Sequence, residues 1–243
     1  MFAALDWREF VMAPGAEIGE KASVGSRQAR AFAREDLACL TQLDGRYTDP
    51  QSLQSEDTVT WSVFGLHVPV GIVDAVINLA YSPKEEAHGQ WTRSFWRRLP
   101  HPDTGRESSG PETDVLIEAS PGWCYAIEAK WLADLKDKQG RNKDRTQLDM
   151  RSESVVARGG VPGQRGAIVI VPSPRQYPFA KQGSVFARYF DVDGDRYRPR
   201  EPALRLEATA LTWTEVAQLL DQVTQAEEVA KYLRWRLSHV PAE

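Results

Sequence analysis

Residues 111–131 read PETDVLIEASPGWCYAIEAKW, and the fold turns on this stretch. The apolar period drops here from 3.6 to 2. Asp114 to Ala119 therefore predicts a strand, Ser120 to Trp123 a turn, and Cys124 to Lys130 a second strand, together a hairpin. Glu128 and Lys130 are two apart on the second strand, so both leave its same face. Tyr125, Ile127, Ala129 and Trp131 supply an apolar set for the opposite face. Two charges thus stand at the end of an otherwise apolar strand, where burial is costly unless they are paired or bind metal. Asp114 opens the neighbouring strand, and a hairpin can bring it close to both.

Working outward towards the C-terminus, residues 134–145 are polar, basic and expected to be mobile, and Thr146 to Ala157 predicts a helix. Gly166 to Val171 is a short apolar run bounded by Gly and Pro, which fits a strand buried on both faces. Ala187–Val192 and Arg196–Arg198 flank Asp193-Gly194, a hairpin signal. The same DVDGD stretch is not a calcium loop, because its glycine stands at the fourth position and Pro202 stands where a bidentate glutamate belongs. Ala208 to Leu211 predicts a last strand. Thr212 to Glu215 is a capping box that opens a helix continuing, with an interruption, to about Ser238.

Towards the N-terminus, residues 100–112 form a loop, and Pro83 to about Leu99 predicts a helix. Residues 71–81 also predict a helix. Ser55 can cap an element running from Glu56 to Leu66, which reads as a helix, or as a strand because Val59, Trp61 and Val63 alternate. Ala29 to Leu43 shows amphipathic helical spacing, and residues 1–25 form an extension with little periodicity. The order predicts an α/β or α+β fold: a central mixed sheet flanked by helices, with residues 26–243 as a single domain.

Composition narrows the chemistry. The 243 residues suffice for a sizeable core, and no run of apolar residues is long enough to span a membrane. The N-terminus lacks the pattern of a signal peptide, which suggests a cytoplasmic protein. The two cysteines exclude a disulfide framework, and the four scattered histidines argue against a zinc site. Two carboxylates with a lysine suit phosphodiester hydrolysis instead. Magnesium prefers oxygen ligands, here Asp114, Glu128 and the Ala129 carbonyl, while Lys130 can orient water and offset charge developing on phosphorus.

Asp114, thirteen intervening residues and then Glu128-Ala129-Lys130 resemble the PD-(D/E)xK nuclease superfamily. The departure from its pattern is Thr113 before the aspartate, with the proline at Pro111; Glu112 is therefore an alternative, and Asp114 is preferred because it abuts the strand. The resemblance covers residues 55–171, the catalytic core. It implies a restriction-endonuclease-like fold and a Mg²⁺-dependent endonuclease acting on DNA, with Mn²⁺ able to substitute, in defence or mobile-element biology. It also implies a helix glutamine after the lysine strand, matched by Gln147, and an upstream helix acid, for which Glu56 is the candidate. A homodimer or a partner subunit of a defence complex is compatible with it, and a non-catalytic nucleic-acid-binding or assembly subunit is the alternative. The formal net charge of −4 weighs mildly against a dedicated DNA-binding module, but less against a nuclease whose own acids hold metal. Lys136, Lys138, Arg141, Lys143 and Arg145 follow the lysine strand and are the candidates for contact with DNA phosphates. Trp91 and Trp96 accompany Arg93, Arg97 and Arg98 and could stack on a base, with packing the preferred reading.

Overall fold

The structure, a computed structural model, describes residues 56–65, 70–81, 91–119, 122–139 and 144–238. The N-terminal extension, the helix expected near residues 29–43 and the Ser55 cap lie outside these residues. Five strands form one mixed sheet in the order β1-β2-β3-β4-β7: β1 (Thr92–Arg98), β2 (Glu112–Ala119), β3 (Trp123–Ala129), β4 (Arg165–Val171) and β7 (Ala208–Thr212). The pairs β1–β2 and β2–β3 are antiparallel, while β3–β4 and β4–β7 are parallel. A smaller hairpin pairs β5 (Phe190–Asp193) with β6 (Arg196–Pro199) across Gly194, whose φ of 62° suits the turn. The class is α+β, with a central mixed sheet flanked by helices, as the sequence predicts.

Helices cover both faces. On one lie α1 (Glu56–Phe64), α2 (Gly71–Tyr81), α5 (Trp213–Leu220) and α6 (Glu227–Leu237). Their apolar residues, among them Val59, Val63, Ile72, Val76, Val216 and Leu233, join Val115, Ile117, Tyr125, Ile127 and Ile168 in the largest core. The stretch from Glu56 is therefore helical; the alternation of Val59 and Val63 does not make it a strand. On the other face α3 (Gln147–Ala157) carries Leu148 and Val155 against the sheet. The β5–β6 hairpin and α4 (Glu201–Arg205) extend that layer over β4 and β7. A capping box at Thr146 and Asp149 fixes the start of α3, and another at Thr212 and Glu215 fixes the start of α5. Among the described residues no helix is long and apolar enough to cross a membrane.

One expected element is different. The described part of the stretch expected to be helical from Pro83 to Leu99 is strand β1, paired antiparallel with β2 from Thr92↔Glu118 to Arg98↔Glu112. Its sequence, TRSFWRR, does not alternate, because Trp96 adopts a left-handed φ of 50°. That twist breaks the phase: Phe95 and Trp96 are both buried in the main core, and Arg97 and Arg98 are both exposed. A bulky residue in this region costs about 1–3 kcal/mol, which burial of two aromatic side chains offsets. Trp91 and Trp96 are thus core residues, not base-stacking platforms.

Candidate active site

The site lies where β3 ends. β2 and β3 pair as far as Val115↔Ile127, so Asp114 faces Glu128 in register and shares its side of the sheet. Beyond that pair a side chain enters the ladder: the Ala129 N–H donates to Asp114 Oδ2 at 2.8 Å. Glu112 instead meets the site through its backbone carbonyl. Lys130 follows β3 and is held by its backbone on two sides. Its N–H donates to the Ile170 carbonyl at 2.8 Å, and its own carbonyl accepts from Trp213 Nε1 at 3.0 Å. These bonds fix the start of its side chain although the terminal amine is on a flexible stem.

Three carboxylates and two cations meet here. Lys130 Nζ lies 2.7 Å from Glu128 Oε1 and 2.9 Å from Glu56 Oε1. Glu56 opens α1, whose apolar residues pack on the opposite face of the sheet. Its carboxylate therefore reaches the end of β3 from the other side and also accepts the Trp131 N–H at 3.0 Å. Gln147 comes from the first turn of α3. Its Nε2 donates to Glu128 Oε1, and its Oε1 accepts the Lys136 N–H at 3.0 Å. The Gln147 N–H in turn donates to the Lys136 carbonyl at 2.7 Å, so the amide is locked between β3 and the basic segment. Glu56, Asp114, Glu128, Lys130 and Gln147, far apart in sequence, thus form one cluster.

Charge placement is uneven. Asp114 is held well above the ordinary carboxylate range, first by burial and then by Glu128, against the opposing pull of Lys130 and Arg151. Glu56 is also raised, by burial, with Lys130 opposing. Burial would lower the Lys130 amine, but Glu128, Glu56 and Asp114 outweigh it and hold it protonated. The site thus pairs a protonated lysine with two carboxyl groups, Asp114 and Glu56, that resist ionisation.

Family models, curated proteins and solved structures give no match to this chain.

Hard oxygen donors of this kind suit a divalent cation. Among the described residues, however, no group of three His, Cys, Asp or Glu side chains is already spaced to close on an ion. Lys130 stands between Glu128 and Glu56 instead. Asp114 and Glu128 are the residues that would hold such an ion, and the Lys130 amine would have to give way to admit it.

Arg151 belongs to the site and is absent from the sequence reading. It stands four residues after Gln147, on the same face of α3. Its Nε forms a close ion pair with Glu128 Oε2, at angles that fall short of a hydrogen bond. The i, i+4 spacing from Gln147 was the available signal. The basic segment is less free than expected. Asp134 accepts the Val185 and Phe186 N–H groups, Leu135 is buried, and Gln139 bridges to Arg145. The Arg145 guanidinium is taken up by Asp103 at 2.7 Å and by Glu153 at 2.8 Å, so it ties the 101–110 loop to α3. Lys136 and Lys138 are exposed, and Arg141 and Lys143 lie outside the described residues.

Proposed function

We propose that this protein is a divalent-metal-dependent nuclease that hydrolyses DNA phosphodiester bonds at the Asp114–Glu128–Lys130 cluster. The carrying observation is the convergence of Glu56, Asp114, Glu128, Lys130 and Gln147 on one end of the sheet, with the aspartate and glutamate cross-strand neighbours on one face. The resemblance of residues 111–131 to PD-(D/E)xK nucleases supports the same reading. Bound Mg²⁺, or Mn²⁺ in its place, supplies Lewis-acid activation of the phosphate and a nucleophile at neutral pH.

The chain's own residues do the rest. Asp114 and Glu128 offer oxygen ligands from adjacent strands, with Asp114 anchored through the Ala129 N–H. Lys130, held protonated, places its positive charge where negative charge builds on the phosphate oxygens in the transition state. Gln147 fixes Glu128 Oε1 without adding charge and couples it to Lys136. The Lys136 side chain, exposed on a backbone pinned beside the site, is suited to contact a DNA phosphate.

One observation favours a second reading, a non-catalytic nucleic-acid-binding or assembly subunit. Both Glu128 oxygens are already engaged, Oε1 by Lys130 and Gln147 and Oε2 by Arg151, as in a purely structural ion cluster. Cleavage assays on supercoiled and single-stranded DNA with Mg²⁺, Mn²⁺ or EDTA separate the two. The nuclease reading expects metal-dependent cutting that EDTA stops. DNA binding without cutting in either metal would establish the second reading.

A further inference from the structure

The two cations that hold Glu128 are built differently. Lys130 reaches it with a single amine on a flexible stem and shares that amine with Glu56. Arg151 is tied on three sides. Its Nη2 donates to the Glu112 carbonyl of β2 at 2.5 Å, its Nη1 donates to the Gln147 carbonyl of its own helix at 3.3 Å, and its Nε faces Glu128 Oε2. It is buried, as is Glu128. The planar guanidinium therefore joins β2, β3 and α3 behind the carboxylate, and it cannot leave Glu128 without giving up two backbone carbonyls.

We propose that Arg151 is a positioning residue of the reaction, fixing Glu128 by Oε2 so that Oε1 alone is presented on the Lys130 side. Lys130 is then the cation that yields when a divalent ion is taken up, and Arg151 is the one that stays. The assignment rests on the nuclease reading and deepens it. It follows from the number and direction of the guanidinium's partners, because a lysine at position 151 would carry the same charge but could not bond both backbone carbonyls and pair with Glu128 from one fixed fork.

The test compares the full-length chain with Arg151→Lys and Arg151→Met. Each is titrated with Mg²⁺ while its thermal midpoint is followed, which reads metal binding without catalysis. DNA affinity is read by anisotropy in Ca²⁺, and kcat and KM are measured on a linear duplex. Arg151→Lys is expected to fold, yet to need about ten- to a hundredfold more Mg²⁺ for half of the stabilising effect, as loss of a partner that orients a metal ligand does. Its kcat should fall by a similar factor, with KM and DNA affinity little changed. Arg151→Met should show the same shift on a less stable background. If it does not fold, the lysine variant decides. Wild-type Mg²⁺ response and kcat in Arg151→Lys would overturn the inference, because charge alone would then suffice. A wild-type chain that neither gains stability from Mg²⁺ nor cuts DNA would overturn the nuclease reading, and this inference with it. The two failures are thus distinguishable.

Discussion

Successive residues along β3 face opposite environments. Tyr125, Ile127, Ala129 and Trp131 enter the main apolar core beneath α1, α2, α5 and α6. Glu128 and Lys130, one residue out of phase, face α3 and meet Asp114, Gln147, Arg151 and Glu56. Full burial of a large apolar side chain contributes about 1.5–3 kcal/mol, so the first face holds the sheet together. Buried ion pairs gain little net stability, because desolvation offsets most of their attraction. The second face therefore adds little to the stability of the sheet. Perturbing one face should change chemistry, and perturbing the other should change stability.

The largest effect expected is on chemistry. Lys130→Ala should lower the cleavage rate by about 10²–10³-fold, the scale for loss of one transition-state donor, while DNA affinity stays near wild type. Single-turnover cleavage beside anisotropy checks this, and an unchanged rate would remove Lys130 from the mechanism. On the apolar face, Ile127→Ala should cost about 2–5 kcal/mol in urea unfolding, with the rate per folded molecule preserved. A comparable loss of rate in fully folded protein would show that the faces are not separable.

Asp114→Asn should act on stability in the opposite sense. The folded Asp114 and Glu56 bind protons more tightly than the unfolded chain. From the ordinary carboxylate pKa of about 4 up to the raised folded values, the folded state therefore holds more protons, and metal-free stability falls as pH rises through that window. The asparagine can still accept the Ala129 N–H and carries no charge. It should raise the neutral-pH thermal midpoint by about 2–4 °C, roughly 1 kcal/mol at this size, with the gain shrinking towards pH 4 and cleavage lost. A midpoint that follows wild type at every pH would mean that burial and Glu128 do not raise Asp114 in the folded protein. The smallest effect belongs to the exposed cations. Replacing Lys136 and Lys138 together with alanine should reduce the salt slope of DNA binding by about 2, whereas Arg145→Ala should leave the slope near wild type, since Asp103 and Glu153 occupy its guanidinium. Equal slopes in the two variants would show that the two exposed lysines do not contact phosphate.

Much of this was written locally. The period-2 pattern of residues 114–130 specified the hairpin and the face of each charge, because side-chain alternation follows from strand geometry alone. The capping boxes at Thr146 and Thr212 likewise set helix starts from a four-residue signal. The site's central trio was legible for that reason.

Other features depended on contacts between distant parts of the chain. β1 is a strand because β2 pairs with it and the core accepts Phe95 and Trp96 together, a left-handed twist that no local pattern announces. Glu56 reaches Lys130 because the apolar residues of α1 seat that helix on the far face of the sheet. Arg145 is turned towards the 101–110 loop by Asp103, 42 residues earlier. Arg151 enters the site because α3 crosses behind β3 and the Glu112 carbonyl lies within its reach. Periodicity decides which side of an element a residue faces, whereas the partner it meets there depends on how elements distant in the chain pack.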